Sequence, residues 1–342
     1  MKFLVIDSGK SKTIAAVYDS DLNVHCSVVG GPSDISLKRD VVLNNVGHVV
    51  STCLNEANCR LEDLDLVVFS WAGLDTERDF EIAWSVIDLL GYPRSKVVLV
   101  HDALAAYYAV TGGEPGVAVI AGTGAIAYGV NRRGVHARSS GWGWIIGDEG
   151  SGLWIALQAL NAAARAYDGR GPSTSLLERI KEYYGLRDLL DIVTPIYRTR
   201  QLDISKLAGL AEVVNEEAEK GDAVALEILS RAGRELALAA YSVAKKLDMV
   251  EDEEVIVGGV GSVFTSRVVR RTFESEVRRL LPRSKLREPL IGYKALVGPV
   301  IIALRKLRGH IDSSLLEAIE RSVEEVYARV KVVTSRSSSG NN

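Results

Sequence analysis

Several things are scarce in this 342-residue chain, and each scarcity closes off a class of function. Cysteine occurs three times, as Cys26, Cys53 and Cys59, with no C-x-x-C pair and no histidine nearby at zinc-ligand spacing. The thiols are therefore expected to be reduced, partly buried residues of a cytoplasmic protein. There is no run of 18 apolar residues, so no membrane span is expected; the apolar start Phe3-Leu4-Val5-Ile6 stops at Asp7, too short for a signal peptide. Charge of neither sign dominates, with 41 Lys and Arg against 44 Asp and Glu and a formal net charge of -3. Pairs such as Arg270-Arg271 and Arg278-Arg279 read as solvated helix faces, and no nucleic-acid partner is expected. A P-loop is missing too: Gly9-Lys10-Ser11 looks like the end of one, but Leu4 stands where the earlier glycine is needed and β-branched residues follow where a helix should begin.

What is present is the material of a globular protein. Hydrophobic residues make up 47% and charged residues 25% of a chain long enough to favour two domains.

The most informative stretch runs from Val97 to Ser151. A buried strand, Val97 to Val100, ends at His101-Asp102, and a helix follows from Ala103 to Val110. A second apolar strand, Val117 to Ala121, meets Gly122-Thr123-Gly124 and leaves as another strand. Two strands joined by such a loop form a phosphate clasp, because glycines let backbone N–H groups converge on an anion and the Thr123 hydroxyl adds a donor. Asp102 is then placed for acid–base work on whatever the phosphate reaches. On spacing alone it also reads as the N-cap of its helix.

The chain opens in the same way. Phe3 to Ile6, Thr13 to Tyr18 and Val24 to Val29 form a ribbon of strands, with Asp7 to Lys12 as its first turn. That turn is either a plain hairpin connection or a second clasp, with Asp7 holding Mg²⁺ through water and Ser11 or Lys12 near nucleotide phosphates. Helices over Leu37 to Ala57 and Glu77 to Leu90, with a strand over Leu64 to Phe69, complete a first lobe. The second lobe repeats the ribbon as Val117 to Ala121, Ala125 to Asn131 and Val135 to Arg138. It continues as helices over Leu153 to Tyr167, Ser175 to Tyr184, Leu207 to Glu219 and Ala223 to Leu247. A strand over Glu254 to Val257 then reaches a glycine turn, Gly258 to Ser262, against which an adenine or ribose can lie flat. Helices over Leu296 to Leu307 and Asp312 to Val330 precede a polar tail expected to be disordered.

Taken together, Asp7-Ser8-Gly9 to Thr13, Gly31-Pro32-Ser33, His101-Asp102-Ala103, Ala121 to Gly124, Gly141-Trp142-Gly143, Gly147 to Ser151 and Gly259 to Ser262 resemble the actin-like ATPase and sugar kinase superfamily. Within it the chain is similar to the N-acetylglucosamine kinases and to the ATPase family that includes benzoyl-CoA reductase subunits and 2-hydroxyacyl-CoA dehydratase activators. The resemblance implies an α/β, two-lobed actin-like (ribonuclease H-like) fold with a nucleotide and sugar cleft between the lobes. The lobes would be residues 1–112 with 292–330, and 113–291, followed by a tail over 331–342, in a homodimer. It also implies ATP, Mg²⁺ and transfer of the γ-phosphoryl group to the primary hydroxyl of a hexose or amino sugar. Asp102 would be the general base, while Asp34, Gly141, Trp142, Gly143 and Asp148, together with Asp102, hold the sugar. Gly9, Ser11, Lys12, Gly122, Thr123, Gly124, Gly209, Gly259 and Val260 would bind the nucleotide, and Asp7 the metal.

One departure is informative: the kinases usually carry Asn after the Gly-Pro-Ser type loop, and this chain carries Asp34. An ionised Asp only accepts hydrogen bonds, so use of glucose, mannose and glucosamine as well as N-acetylglucosamine is expected. Two other readings compete with this one. A redox-coupled ATPase of the activator type needs cysteines around a cluster, and none lies in the region from Gly122 to Gly150. A non-catalytic sugar sensor would carry a helix-turn-helix extension before Lys2 and could dispense with Asp102.

Overall fold

The computed structural model of the protein describes residues 1–10, 12–199, 202–251, 255–291, 296–309 and 311–337. The chain forms two compact units, Met1–Glu114 with Tyr293–Asn342, and Pro115–Gly292. Unit 1 begins with β1 (Lys2–Ser8), β2 (Thr13–Asp19), β3 (Val24–Gly30), α1 (Arg39–Glu56), β4 (Leu66–Trp71), α2 (Glu77–Leu89), β5 (Val97–His101) and α3 (Asp102–Thr111). Unit 2 contains β6 (Gly116–Ala121), β7 (Ala125–Val130), β8 (His136–Ser140), α4 (Gly152–Tyr167), α5 (Leu176–Tyr184), α6 (Val193–Tyr197), α7 (Ile204–Glu219), α8 (Ala223–Lys246), β9 (Ile256–Val260), α9 (Arg267–Leu280) and β10 (Lys285–Leu290). The chain then returns to unit 1 with α10 (Val297–Arg308) and α11 (Ser313–Ser337).

The unit 1 sheet has the order β3-β2-β1-β4-β5, antiparallel through the ribbon and parallel from β1 to β5. The central strand β1 is buried from Phe3 to Ile6, which explains why it reads as a continuous apolar run rather than an alternating one. Phe3 stacks on its cross-strand partner Tyr18 with ring centroids 5.4 Å apart. In register, Asp7 lies opposite Ser70 and Trp71 opposite His101, so the carboxyl ends of β1, β4 and β5 come level. Ligands of open α/β sheets bind at such ends. Behind them α10 packs on α3 with almost no separation, because a Cβ on Gly298 would lie 1.9 Å from the Ala105 carbonyl.

Unit 2 repeats the plan with the order β10-β9-β6-β7-β8, and again only the outer additions to the ribbon are parallel.

Several expectations need correction. Gly258 and Gly259 are not in the turn: they pair as strand β9 with β6, and the chain turns only at Gly261, where φ is +114°. The strand β10 is an addition to the expected elements, since as an edge strand it is largely exposed and shows no alternation. α11 extends through Ser337, so the start of the expected tail is helical. The cysteines are not all reduced: Cys26 on β3 and Cys53 on α1 form a disulfide with Cα atoms 5.5 Å apart, leaving Cys59 free and buried. α1 packs on β3, and residues 27 positions apart meet there for a reason that spacing in the sequence does not encode. Among the described residues no helix is long and apolar enough to cross a membrane.

Candidate active site

In unit 1 the strand ends are tied into one polar assembly. The Gly9 amide donates to the Lys12 carbonyl, closing the first turn, and the Gly9 carbonyl accepts from the Ser33 amide at 3.1 Å. The Gly31-Pro32-Ser33 loop is held from three further sides: the Thr13 hydroxyl donates to the Gly31 carbonyl at 2.7 Å, Asn45 Nδ2 to the Pro32 carbonyl at 2.6 Å, and the Trp71 indole to the Ser33 carbonyl at 2.6 Å. So fastened, the loop delivers Asp34 to a buried position. Its Oδ1 accepts from the Ser36 amide and hydroxyl, while Oδ2 is buried beside Gly73 and has no partner among the described residues. An acceptor held in this way is short of one donor.

Asp102 does not cap its helix. His101 does, with Nδ1 accepting from the Leu104 amide at 3.0 Å, and Asp102 is the first helical residue with surface open to solvent. Burial among the surrounding protein, and next the charge of Asp7, push its carboxyl up to about 7 against the pull of the Ala103 amide and Lys10. Since the group is partly solvated, water tempers that shift and about 7 is its upper bound. Burial likewise raises Asp7, opposed by the Ser70 hydroxyl, which donates to it at 3.2 Å, and by the Lys12 charge. Burial resists the ionisation of both carboxyls, and the charge of Asp7 adds to the resistance at Asp102, so a cation would be welcome there. Among the described residues no three His, Cys, Asp or Glu side chains form a ready metal cage. A Mg²⁺ at Asp7 would therefore complete its shell with water and phosphate oxygens, as this ion commonly does. Ser11, expected among the phosphate contacts, lies outside the described residues.

In unit 2 the Gly122-Thr123-Gly124 clasp is built onto the start of α4. The Gly122 amide donates to the Gly124 carbonyl at 2.9 Å, and the amides of Gly152 and Leu153 donate to the carbonyls of Gly122 and Thr123. Thr123 is left exposed at the rim. The loop after β8 supports the clasp from another side: Asp148, buried with φ +58°, accepts from the Gly143 amide at 3.1 Å and directs Oδ2 at Gly124. Asp148, expected to touch sugar, thus also braces this backbone. Gly141 and Gly143 turn the loop with φ of +74° and +85°, and Trp142 is 64% exposed with the Arg138 guanidinium 5.1 Å from its ring centroid.

A cavity of about 420 Å³ opens beside the clasp. Gly122 and Thr123 line it, as does Gly209 on α7, which packs against the Tyr183 hydroxyl. Gly259 and Val260 do not line it. They are buried strand residues, and Ser262, Val263, Thr265 and Ser266 take the wall instead. Sequence reasoning also missed Ser205, Glu212, Asn215 and Glu216 on α7. The signal was available: these positions recur at helical spacing opposite buried Leu207, Leu210, Val213 and Val214, but a polar stripe usually means plain solvent exposure.

Residues 4–303 match the BadF/BadG/BcrA/BcrD ATPase family. The N-acetylmuramic acid/N-acetylglucosamine kinase of Clostridium acetobutylicum is 34% identical over 307 residues, spanning 89% of this chain and 98% of its own. The N-acetyl-D-glucosamine kinase of Dictyostelium discoideum is 31% identical over 271 residues, spanning 75% of this chain and 84% of its own. A solved structure from Chromobacterium violaceum, assigned as an N-acetylglucosamine kinase, superposes with a TM-score of 0.70 at 22% identity, over 88% of this chain and 98% of that one.

Proposed function

Because the chain belongs to the BadF/BadG/BcrA/BcrD ATPase family, we propose that it is a sugar kinase that moves the γ-phosphoryl group of ATP to the primary hydroxyl of a hexose or amino sugar. The observation that carries this reading is Asp102, an accessible carboxyl at the end of β5 whose titration is raised toward neutrality. Its carboxylate takes the proton of the acceptor hydroxyl as the sugar oxygen bonds to phosphorus; the bond from that phosphorus to the bridging oxygen breaks, and ADP leaves. The transition state of such transfers is loose, so the base chiefly orients the nucleophile. Asp34 supports the sugar, with Oδ2 ready to accept from a hydroxyl or an ammonium. The Gly122-Thr123-Gly124 clasp and its cavity support the nucleotide. Asp7 fits Mg²⁺, which when bound would offset phosphate charge.

A redox-coupled ATPase would need free cluster ligands, and two of the three cysteines are joined to each other. The test is ATP consumption by the purified chain with glucose, mannose, glucosamine, N-acetylglucosamine and N-acetylmannosamine in turn. Sugar-dependent ADP formation across hexoses and amino sugars is expected; ADP formation indifferent to every sugar would refute the kinase, and strict use of the N-acetyl sugars would refute the role given to Asp34.

A further inference from the structure

Resting on the reading of Asp34 as a sugar ligand, we propose that Asn45 of α1 is a positioning residue for sugar recognition, which sets where the Asp34 carboxylate stands by holding the peptide that precedes Ser33. Asp34 lies outside helix and strand, so its place depends on what holds the loop ahead of it. The peptide joining Pro32 to Ser33 is gripped at both edges: its N–H donates to the Gly9 carbonyl at 3.1 Å, and its C=O accepts from Asn45 Nδ2 at 2.6 Å. The next peptide is gripped by the Trp71 indole, which donates to the Ser33 carbonyl at 2.6 Å. Peptide planes are rigid, so fixing two in succession fixes both dihedrals of Ser33 and with them the start of Asp34. Trp71 is a residue of the sheet and Gly9 follows β1 directly, whereas Asn45 reaches in from a helix.

The packing of α1 brings that donor to the loop. Asn45, Val49 and Cys53 stand on successive turns of one face of the helix. Cys53 is bonded to Cys26 of β3, and Val49 lies so close to Gly30 that a Cβ there would be 2.3 Å from its Cγ2. Asn45 comes next, over Gly31, where a Cβ would be 2.9 Å from Nδ2. The helix is thus fastened to β3 beside the loop, and the amide meets bare backbone. Its orientation is settled as well, because a carbonyl only accepts and Nδ2 is the side chain's donor. Two substitutions act on this contact from opposite sides. Leucine at position 45 keeps the size and the helix but removes the donor. Alanine at position 31 leaves the donor in place and pushes it aside, since the added methyl meets the end of a flexible side chain; Gly31 is exposed and its φ is not left-handed, so its own backbone tolerates the change.

Steady-state kinetics of the full chain with glucose and with N-acetylglucosamine at saturating ATP, beside calorimetric titration with ADP, test this in Asn45→Leu and Gly31→Ala, each made singly and together with Asp34→Ala. A residue that places a sugar ligand acts alike on bound sugar and transition state, so both single variants should raise the sugar KM about 10-fold, with kcat and ADP affinity changed less than about threefold. Because Asn45 acts through Asp34, either substitution added to Asp34→Ala should change the sugar KM less than about twofold further. An unchanged sugar KM in either variant that folds, a loss of kcat and ADP affinity as large as the rise in KM, or an effect that adds in full to that of Asp34→Ala overturns the role of Asn45 and leaves Asp34 as a sugar ligand. A sugar KM that Asp34→Ala itself leaves unchanged removes Asp34 from the sugar, and this inference with it.

Discussion

A carboxyl that titrates near neutrality is a base over only part of the usual pH range, and Asp102 puts the boundary where an assay can see it. Its folded pKa is raised above 3.8, to about 7 at most, so the active carboxylate is lost as pH falls. We expect kcat/KM to be flat above pH 7.5 and to fall toward tenfold per unit once pH drops below the Asp102 pKa, which lies between 5 and about 7; a profile flat down to pH 5 would contradict this. The same shift bears on stability with a definite sign. A raised carboxyl favours the folded state while protonated, and that contribution is lost as pH rises from 3.8 through about 7. Asp102→Asn should therefore melt above the unmodified protein at pH 8, with a smaller gap at pH 5, as followed by circular dichroism. Asp34 makes a different prediction. Asparagine at this position can donate as well as accept, so Asp34→Asn should raise the kcat/KM ratio of N-acetylglucosamine to glucose by about 10-fold, about one good hydrogen bond. An unchanged ratio would remove Asp34 from sugar selection.

Elements set these residues by packing, and here the sequence was an uneven guide. Strands buried on both faces, such as β1 and β6, stood out as apolar runs, and helices with caps and clear spacing were legible to within a few residues. Asp7, Asp102 and the clasp were legible for the same reason, since each follows such a run directly. What stayed hidden depends on contacts between distant segments: the β10 edge, the pairing of Gly258 and Gly259, and the meeting of β3 with α1. Gly298 is another case. Its missing side chain lets α10 lie on α3, whose first residue is Asp102. Gly298→Ala should cost about 3 kcal/mol by overpacking and impair turnover through Asp102; wild-type stability would show that the helices separate freely. The Cys26–Cys53 bond closes a loop of sequence separation 27, worth about 3 to 4 kcal/mol by loop entropy. Thiol titration in denaturant without reductant should find one reactive cysteine, Cys59, and three would exclude the bond.

The whole molecule is one topology used twice, a ribbon extended by two parallel strands, with a polar turn after the first strand of each ribbon. In unit 1 Asp7 stands near the end of the strand that leads into that turn, and in unit 2 the turn itself is Gly122-Thr123-Gly124. The repetition could be read from the sequence because ribbon, turn and apolar strand recur in the same order. The partition of labour could be read only in part, because no motif marks the residues of α7 that line the cavity. If unit 1 supplies the base and unit 2 the nucleotide, binding and transfer separate cleanly in one variant. The direct measurement follows labelled γ-phosphoryl from ATP to sugar at pH 8 in the unmodified chain and in Asp102→Asn, with ADP and sugar affinities measured beside it. The account predicts that transfer falls by about 10²- to 10⁴-fold while ADP affinity changes less than about threefold and sugar affinity far less than transfer. Transfer undiminished in Asp102→Asn would contradict it.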